Sequence, residues 1–347
     1  MPNRSHAPSH TSVILMLAML FVGGCAAAKP GDPAVEAADQ NWLKQSNLFD
    51  RFDTATRDFH PLNAYLLALA VRAGDMNTTE QRQTLRTWGL RKHSPIVDRN
   101  ASVYAYVASN ERMVLAVFSG TDIRNIRDLE SDVDALYPVQ RDRYSRANGA
   151  LLHRGFANNM DAIWDAITRE VKSHAKTKAG APAKPVFITG HSRGGAFAAL
   201  AAAGWAQEKA VPIVGLYTFG QPRVGNVQFA QDFASLDVPY VRVINERDAV
   251  AGIPMKLGNL GADYVHAGSV AHLVKGPLLR KNPAPASLRL IVIDPDHYMD
   301  GYISKLYAVL TQPQRIEDAT WRAMAVGPAP TTSASTRSTM DLPRPPW

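Results

Sequence analysis

The sequence predicts an α/β fold in which helices flank a mostly parallel central sheet. Strand-like and helix-like segments alternate along the chain between about residues 60 and 310. Residues 113–118 are continuously apolar, which is typical of a strand buried on both faces. Another apolar run, at 185–189, passes through a Gly-containing turn into an Ala-rich helical segment. Because ligands of such sheets bind beyond the carboxyl ends of the strands, we expect the functional site at that edge.

Spacing and composition predict the individual elements. Residues 62–72 are strongly apolar and predict a helix, and apolar side chains at helical spacing between Phe156 and Val171 predict another. The Ala-rich segment after Ser192 predicts a third helix, and a final helix is expected to begin near His297. Strands are predicted at residues 102–108, 113–118, 185–189, 213–219, 240–244, 264–270 and 288–293.

The overall composition is that of an ordinary globular protein. Of 347 residues, 46% are hydrophobic and 20% charged, so a sizeable core is available. The net charge of +7 is scattered rather than clustered, so we interpret it as a solvated surface and expect no nucleic-acid partner. Residues 25–40 predict a short tether and residues 41–315 the folded domain. Residues 327–347, rich in Pro, Ser and Thr, predict a disordered tail.

The first 24 residues have the features of a lipoprotein signal peptide. Arg4 supplies a positive charge, and the apolar run at 13–22 is too short to span a bilayer comfortably. Cys25 follows in a context that resembles a bacterial lipobox, and it is the only cysteine in the chain. We therefore expect export and a lipid anchor on Cys25 at the outer membrane or cell surface. Ordinary secretion after cleavage behind Ala28 is the alternative.

A Gly-x-Ser-x-Gly motif lies between a predicted strand and a predicted helix. This context is typical of a nucleophile elbow, a sharp turn that presents a serine hydroxyl above a sheet. Gly190 and Gly194 have no side chains, so the strand and the helix can approach closely. The helix directs the positive end of its dipole toward the place where an oxyanion would form. Ser192 is therefore the candidate nucleophile.

A serine hydroxyl needs a general base, and in hydrolases with this motif the base follows the nucleophile in the chain. Three histidines follow Ser192. His297 comes just after an apolar run and at the head of a predicted helix, which places it in a loop beyond a strand. His266 is predicted inside a strand and His272 in a short mixed segment, so we interpret both as strand or surface residues. His297 is the preferred base.

The acid that orients the base should also follow a strand. Asp248 comes just after a predicted strand and is the preferred candidate. Glu246 is its nearest rival by position, and Asp263 and Asp294 are further candidates. Asp294 lies so close to His297 in sequence that we expect it to shape the local turn. The residues alone leave these alternatives open.

Several sequence blocks together resemble the class 3 lipase family, the fungal triglyceride-lipase type of α/β-hydrolase. They are spread over roughly residues 60–310, and the block with the sequence GQPRVGN is the most specific of them. The blocks are residues 118–121 (FSGT), 190–195 (GHSRGG), 218–226 (TFGQPRVGN), 245–254 (NERDAVAGIP) and 297–298 (HY).

This resemblance implies a role for each residue of the site. It implies Ser192 as nucleophile, Asp248 as orienting acid and His297 as general base. It also implies that Thr121, through its N–H and hydroxyl, and Arg193, through its N–H, form the oxyanion hole.

The chain departs from the family pattern at two positions. Arg193 stands where an aliphatic residue is common, so a cation beside the site bears on substrate choice while the N–H donor is unaffected. Ala249 stands where a proline commonly follows the acid. Residues 122–137 place apolar side chains on one helical face, and they are interpreted either as a mobile lid or as a helix permanently packed on the core.

The expected function is that of a serine carboxylic-ester hydrolase, specifically a lipase that acts on triacylglycerol or related lipid esters. No phosphate-cradling or metal-ligand pattern is present in the sequence, so neither a cofactor nor a metal is expected. The expected partners are the ester substrate and, through the anchor, a membrane. The alternatives are a phospholipase or other esterase on the same fold, and a surface lipoprotein without catalytic activity.

Overall fold

The computed structural model describes residues 45–120, 137–254, 263–274, 278–282 and 295–326. These ranges do not include the predicted signal peptide, tether and tail, or the strand predicted at 288–293. They also leave out Cys25, Thr121 and all of segment 122–137 except its last residue. None of the described helices is long and apolar enough to cross a membrane.

Eight of the described strands form a sheet through the centre of the domain. Its spatial order is β1-β2-β3-β6-β7-β8-β9-β10, and the four consecutive pairs from β3 to β9 are parallel. Strands β1, β2 and β10 are antiparallel to their neighbours, and β4 and β5 form a separate short pair. The strands are β1 (Lys92–Asp98), β2 (Val103–Ser109), β3 (Val114–Phe118), β4 (Pro138–Val139), β5 (Leu152–His153), β6 (Val186–His191), β7 (Ile213–Phe219), β8 (Tyr240–Asn245), β9 (Ser269–Val274) and β10 (Leu278–Lys281).

Helices cover both faces of the sheet, as a parallel sheet requires. One face packs against α1, α6 and α7, and the other against α3, α4 and α5. Each face has its own apolar core, in which Leu66 of α1 and Leu200 of α4 are fully buried. Helix α7, which lies beyond residue 315, packs on the first core through Trp321. The helices are α1 (Pro61–Ala73), α2 (Thr78–Thr87), α3 (Arg154–Ala175), α4 (Arg193–Gln207), α5 (Val227–Ala234), α6 (Met299–Thr311) and α7 (Ala319–Val326).

The central strands and helices α1, α3, α4 and α6 are confirmed, whereas helices α2, α5 and α7 were not predicted. The strand predicted at 264–270 is wrong, because β9 covers Ser269–Val274 instead. Gly268 has a φ of 78°, and Val265 pairs with Gly225 in a loop rather than with the sheet. Strands β1 and β10 lie at the sheet edges and were not predicted, because β1 contains Pro95 and a single buried residue and β10 has only four residues.

The burial of α1 gives a test of this packing. Replacement of Leu66, which is 0% exposed, by Ala should lower the free energy of unfolding by about 2–5 kcal/mol, because it removes buried methyl groups and leaves a cavity. Val97→Ala is the control, because Val97 is 53% exposed and its truncation should cost little. Chemical denaturation of both variants checks this expectation, and equal losses would contradict the assignment of the core.

Candidate active site

Ser192 lies in the turn between β6 and α4, with a strained backbone. Its φ of 54° and ψ of −130° lie in a region that residues other than glycine rarely adopt. The turn is held by the Ser192 N–H, which donates to the carbonyl of Phe219 at 2.9 Å. A side chain on Gly190 would overlap the backbone of Gly194, and one on Gly194 would overlap the end of β3. These glycines therefore let β6, α4 and β3 converge beneath the serine.

His297 and Asp248 form a buried pair beyond the neighbouring strands. The Nδ1 atom of His297 lies 2.9 Å from both carboxylate oxygens of Asp248. Gly220, at the end of β7 with a φ of 54°, lies directly against them, because a side chain there would come within 3.0 Å of the imidazole. The glycine thus makes room for the pair. The structure brings together these two residues, which the family resemblance implies as acid and base.

Hydrogen-bond donors surround the carboxylate of Asp248. Besides His297, the N–H of Val250 donates to Oδ1 at 3.0 Å, and the hydroxyl of Tyr302 donates to Oδ2. Burial alone would raise the pKa of Asp248, but His297 and Tyr302 outweigh it, so the pKa is lowered overall. Asp248 is therefore an ionised acceptor that orients the imidazole at neutral pH.

Two reactive atoms of this site have no hydrogen-bond partner among the described residues. They are the hydroxyl oxygen of Ser192 and Nε2 of His297, and both are buried. Because Asp248 accepts a hydrogen bond from Nδ1, Nε2 of the neutral imidazole carries the lone pair. It is thus a proton acceptor. No hydrogen bond joins it to the serine hydroxyl in this structure, and such bonds are often long until a substrate is bound.

Side chains from other elements fasten the loop that carries the base. Asn245, at the end of β8, donates from Nδ2 to the carbonyl of Asp296 at 2.8 Å. The Oδ1 atom of Asn245 accepts from Nζ of Lys305 at 2.7 Å. His191 donates from Nε2 to the carbonyl of His297 at 2.7 Å. The position of His297 therefore depends on β6, β8 and α6 together.

These supporting residues were not predicted from the sequence, although two of them lie close in sequence to a predicted site residue. Tyr302 follows His297 closely on a predicted helix, and His191 immediately precedes the nucleophile. Asn245 and Lys305 lie sixty residues apart, so no local pattern connects them. Only the fold brings them to the same loop.

Of the two predicted oxyanion residues, the structure describes Arg193, while Thr121 lies outside the described residues. Arg193 is the first residue of α4, where backbone N–H groups have no partner within the helix. Its guanidinium donates to the carbonyl of Ser102 and lies 5.5 Å from the ring of Phe197, so it is engaged with the turn before β2 and with its own helix. Burial lowers the pKa of Arg193 to about 10. Ser119, shortly before Thr121, donates its N–H to the carbonyl of Tyr104.

The rival acid and base candidates have other partners or lie elsewhere. Glu246 pairs with Lys305 at 2.6 Å, and Asp294 is outside the described residues. His266 precedes β9 rather than lying inside a strand, and it donates to the carbonyl of Ala251 at 2.7 Å. His272 lies within β9, where it donates to the carbonyl of Glu246.

Residues 115–258 match the model of the family described as lipase (class 3). This part of the chain is similar to the class 3 lipase family. It contains Ser192 and Asp248, while His297 lies beyond the matched residues.

Curated proteins that are similar to this chain include fungal and plant enzymes. A lipase of Rhizomucor miehei is 32% identical over 195 residues, which are 55% of this chain and 48% of that protein. A chloroplastic phospholipase A1 of Arabidopsis thaliana, A1-Igamma1, is 34% identical over 146 residues, which are 35% of this chain and 27% of that protein. The chain thus spans about half or less of the length of these relatives.

A solved structure of a fungal lipase in complex with an inhibitor is similar in fold. The match has a TM-score of 0.53 and 27% identity, and it covers 63% of this chain and 83% of that one. The described domain therefore has the α/β-hydrolase fold, as the sequence predicts.

Removal of the Tyr302 hydroxyl tests how the carboxylate is held. In Tyr302→Phe, the carboxylate of Asp248 loses a hydrogen bond, so the free energy of unfolding at pH 7 should fall by about 1.5–3 kcal/mol. The lowered pKa of Asp248 stabilises the fold above the unfolded pKa of about 4, and this contribution is lost as the pH falls through the folded pKa. The difference from wild type should therefore shrink below about pH 4.

Denaturation of both proteins across this pH range is the measurement. Tyr307→Phe, on the same helix, is the matched control, because the ring of Tyr307 contacts Tyr65. A difference for Tyr302→Phe that stays constant with pH would show that the hydroxyl does not act through Asp248.

Proposed function

We propose that this chain is a serine carboxylic-ester hydrolase, specifically a lipase that acts on triacylglycerol or related lipid esters. The observation that carries this proposal is the buried His297–Asp248 pair with an unpartnered Nε2, beside a strained serine turn at the same edge of the sheet. A protein that used this fold only for binding would have no need for these features in combination. The relatives named as lipases support the same function.

The proposed reaction begins with attack by Ser192 on the ester carbonyl. Nε2 of His297 takes the proton from the hydroxyl, and the oxygen forms a bond to the carbonyl carbon. Asp248 stabilises the imidazolium that results. The N–H of Arg193 and, as the family resemblance implies, Thr121 donate to the developing oxyanion.

Collapse of the tetrahedral intermediate breaks the bond to the alcohol. His297 gives its proton to the leaving alkoxide, and an acyl group remains on Ser192. A water molecule then attacks the acyl carbon while His297 accepts its proton, and the acid is released as the serine regains a hydrogen. Ester and water are thereby converted to alcohol and acid, and the site is restored.

A phospholipase is the second candidate, because one relative is named phospholipase A1. Both reactions use the same nucleophile and differ in the group attached to the glycerol ester. Hydrolysis of matched triacylglycerol and phosphatidylcholine emulsions, with equal acyl chains, separates the two. Faster turnover of the triacylglycerol supports the lipase, and faster turnover of the phospholipid supports the alternative.

Labelling with a fluorophosphonate tests the nucleophile. Ser192→Ala should abolish labelling and lower ester hydrolysis on the order of a thousand-fold or more, because the acyl group has no oxygen to occupy. Ser235→Ala is the control, since the hydroxyl of Ser235 bonds only to a helix carbonyl and both activities should survive. Labelling that persists in Ser192→Ala would remove the assignment.

We also propose that the protein is exported and anchored through a lipid on Cys25. The support is the sequence context of Cys25, described above. Intact mass measurement of the mature protein should show a lipid-modified N-terminal cysteine, and Cys25→Ser should release the protein from the membrane fraction. An unmodified mature N-terminus at Lys29 would contradict the anchor.

A further inference from the structure

His191 occupies a position between the nucleophile and the base. It is the last residue of β6 and directly precedes Ser192. Its Nε2 atom lies 2.7 Å from the carbonyl oxygen of His297, and the two imidazole rings lie 4.6 Å apart with an angle of 32°. The side chain of His191, the residue next to the nucleophile, is therefore hydrogen-bonded to the backbone of the base.

The hydrogen bond fixes the state of the His191 ring. A carbonyl can only accept, so Nε2 carries the proton and Nδ1 the lone pair. Nδ1 faces Gly120, where an added side chain would come within 3.0 Å of it. The groups that face the ring are His297, Asp248 and Tyr302. Burial, and then His297, lower the pKa of His191 to about 3, so the ring is neutral at physiological pH.

The low pKa makes His191 a poor second general base, because protonation of Nδ1 would place a charge in a buried ring beside His297. Its donor is already used on a carbonyl, and a second positive charge beside the His297 imidazolium would oppose catalysis. What the ring offers instead is geometry. Asn245 holds the carbonyl of Asp296, and His191 holds the next carbonyl in the chain.

We propose that His191 is a positioning residue that sets the distance and angle between His297 and Ser192. The inference rests on the proposed ester hydrolysis. Asp248 orients the imidazole at Nδ1, but it does not fix the backbone from which the imidazole projects. The bond from His191 supplies that second attachment, and it starts at the residue next to the nucleophile. Displacement of a catalytic group by about 1 Å can cost a hundred-fold in rate.

Two variants separate the hydrogen bond from the packing of the ring. His191→Phe keeps an aromatic ring against His297 and removes the donor, so kcat on a soluble short-chain ester should fall roughly ten- to hundred-fold with little change in KM. His191→Gln restores a donor and should recover part of the lost kcat.

Rates are expressed per active site, counted by fluorophosphonate labelling, so that unfolded protein does not contribute. His174→Phe is the control, because His174 is also a buried histidine with both ring nitrogens hydrogen-bonded, to Ser94 and Ser109 near the opposite edge of the sheet. It should lower stability and leave the kcat and KM of the labelled fraction unchanged.

The outcomes distinguish this inference from the proposed function. A wild-type protein that neither labels nor hydrolyses esters overturns the proposed function itself. A functional wild type whose His191→Phe variant keeps the wild-type kcat overturns the positioning role alone. An equal loss of kcat in both variants, without recovery in His191→Gln, also overturns it, because that result indicates a general packing defect.

Discussion

The hydrogen bond between His297 and Asp248 is the interaction on which the rest of the site depends. A carboxylate that is almost fully buried is costly unless donors compensate for lost water. Here the compensation comes from His297, Tyr302 and the backbone of Val250, which belong to different elements. The same bonds give the imidazole its tautomer. Stability of the buried charge and readiness of Nε2 for proton transfer therefore have one physical origin.

The parallel sheet explains why these groups can meet at all. Carboxyl ends of neighbouring parallel strands lie at one edge, and β6, β7 and β8 end there with Ser192, Gly220 and Asp248 close behind. His297, just before helix α6, and its supports on that helix come from much later in the chain. Glycine is needed where backbones or rings approach most closely, and the backbone of the serine turn is strained at Ser192.

The sequence predicts the nucleophile and the central strands because each has a local signal. Gly-x-Ser-x-Gly between an apolar run and an Ala-rich run leaves few alternatives to a strand, a turn and a helix. The acid needed the family resemblance, since the residues alone left Glu246, Asp263 and Asp294 open. Support by Asn245 and Lys305 could not be predicted, because it depends on side chains that only tertiary packing brings together. Edge strands such as β1 could not be predicted from the sequence either, because they lack a buried apolar pattern.

The proposed mechanism requires the side chains of Ser192, His297 and Asp248 to converge. A crystal structure of the fluorophosphonate adduct would show whether they do. We expect phosphorus bonded to the hydroxyl oxygen of Ser192, with Nε2 of His297 within about 3.2 Å of that oxygen and Asp248 still bound to Nδ1. The phosphoryl oxygen should point at the N–H of Arg193. An adduct on another residue, or an imidazole of His297 turned away from Ser192 in the adduct, would contradict the proposed mechanism.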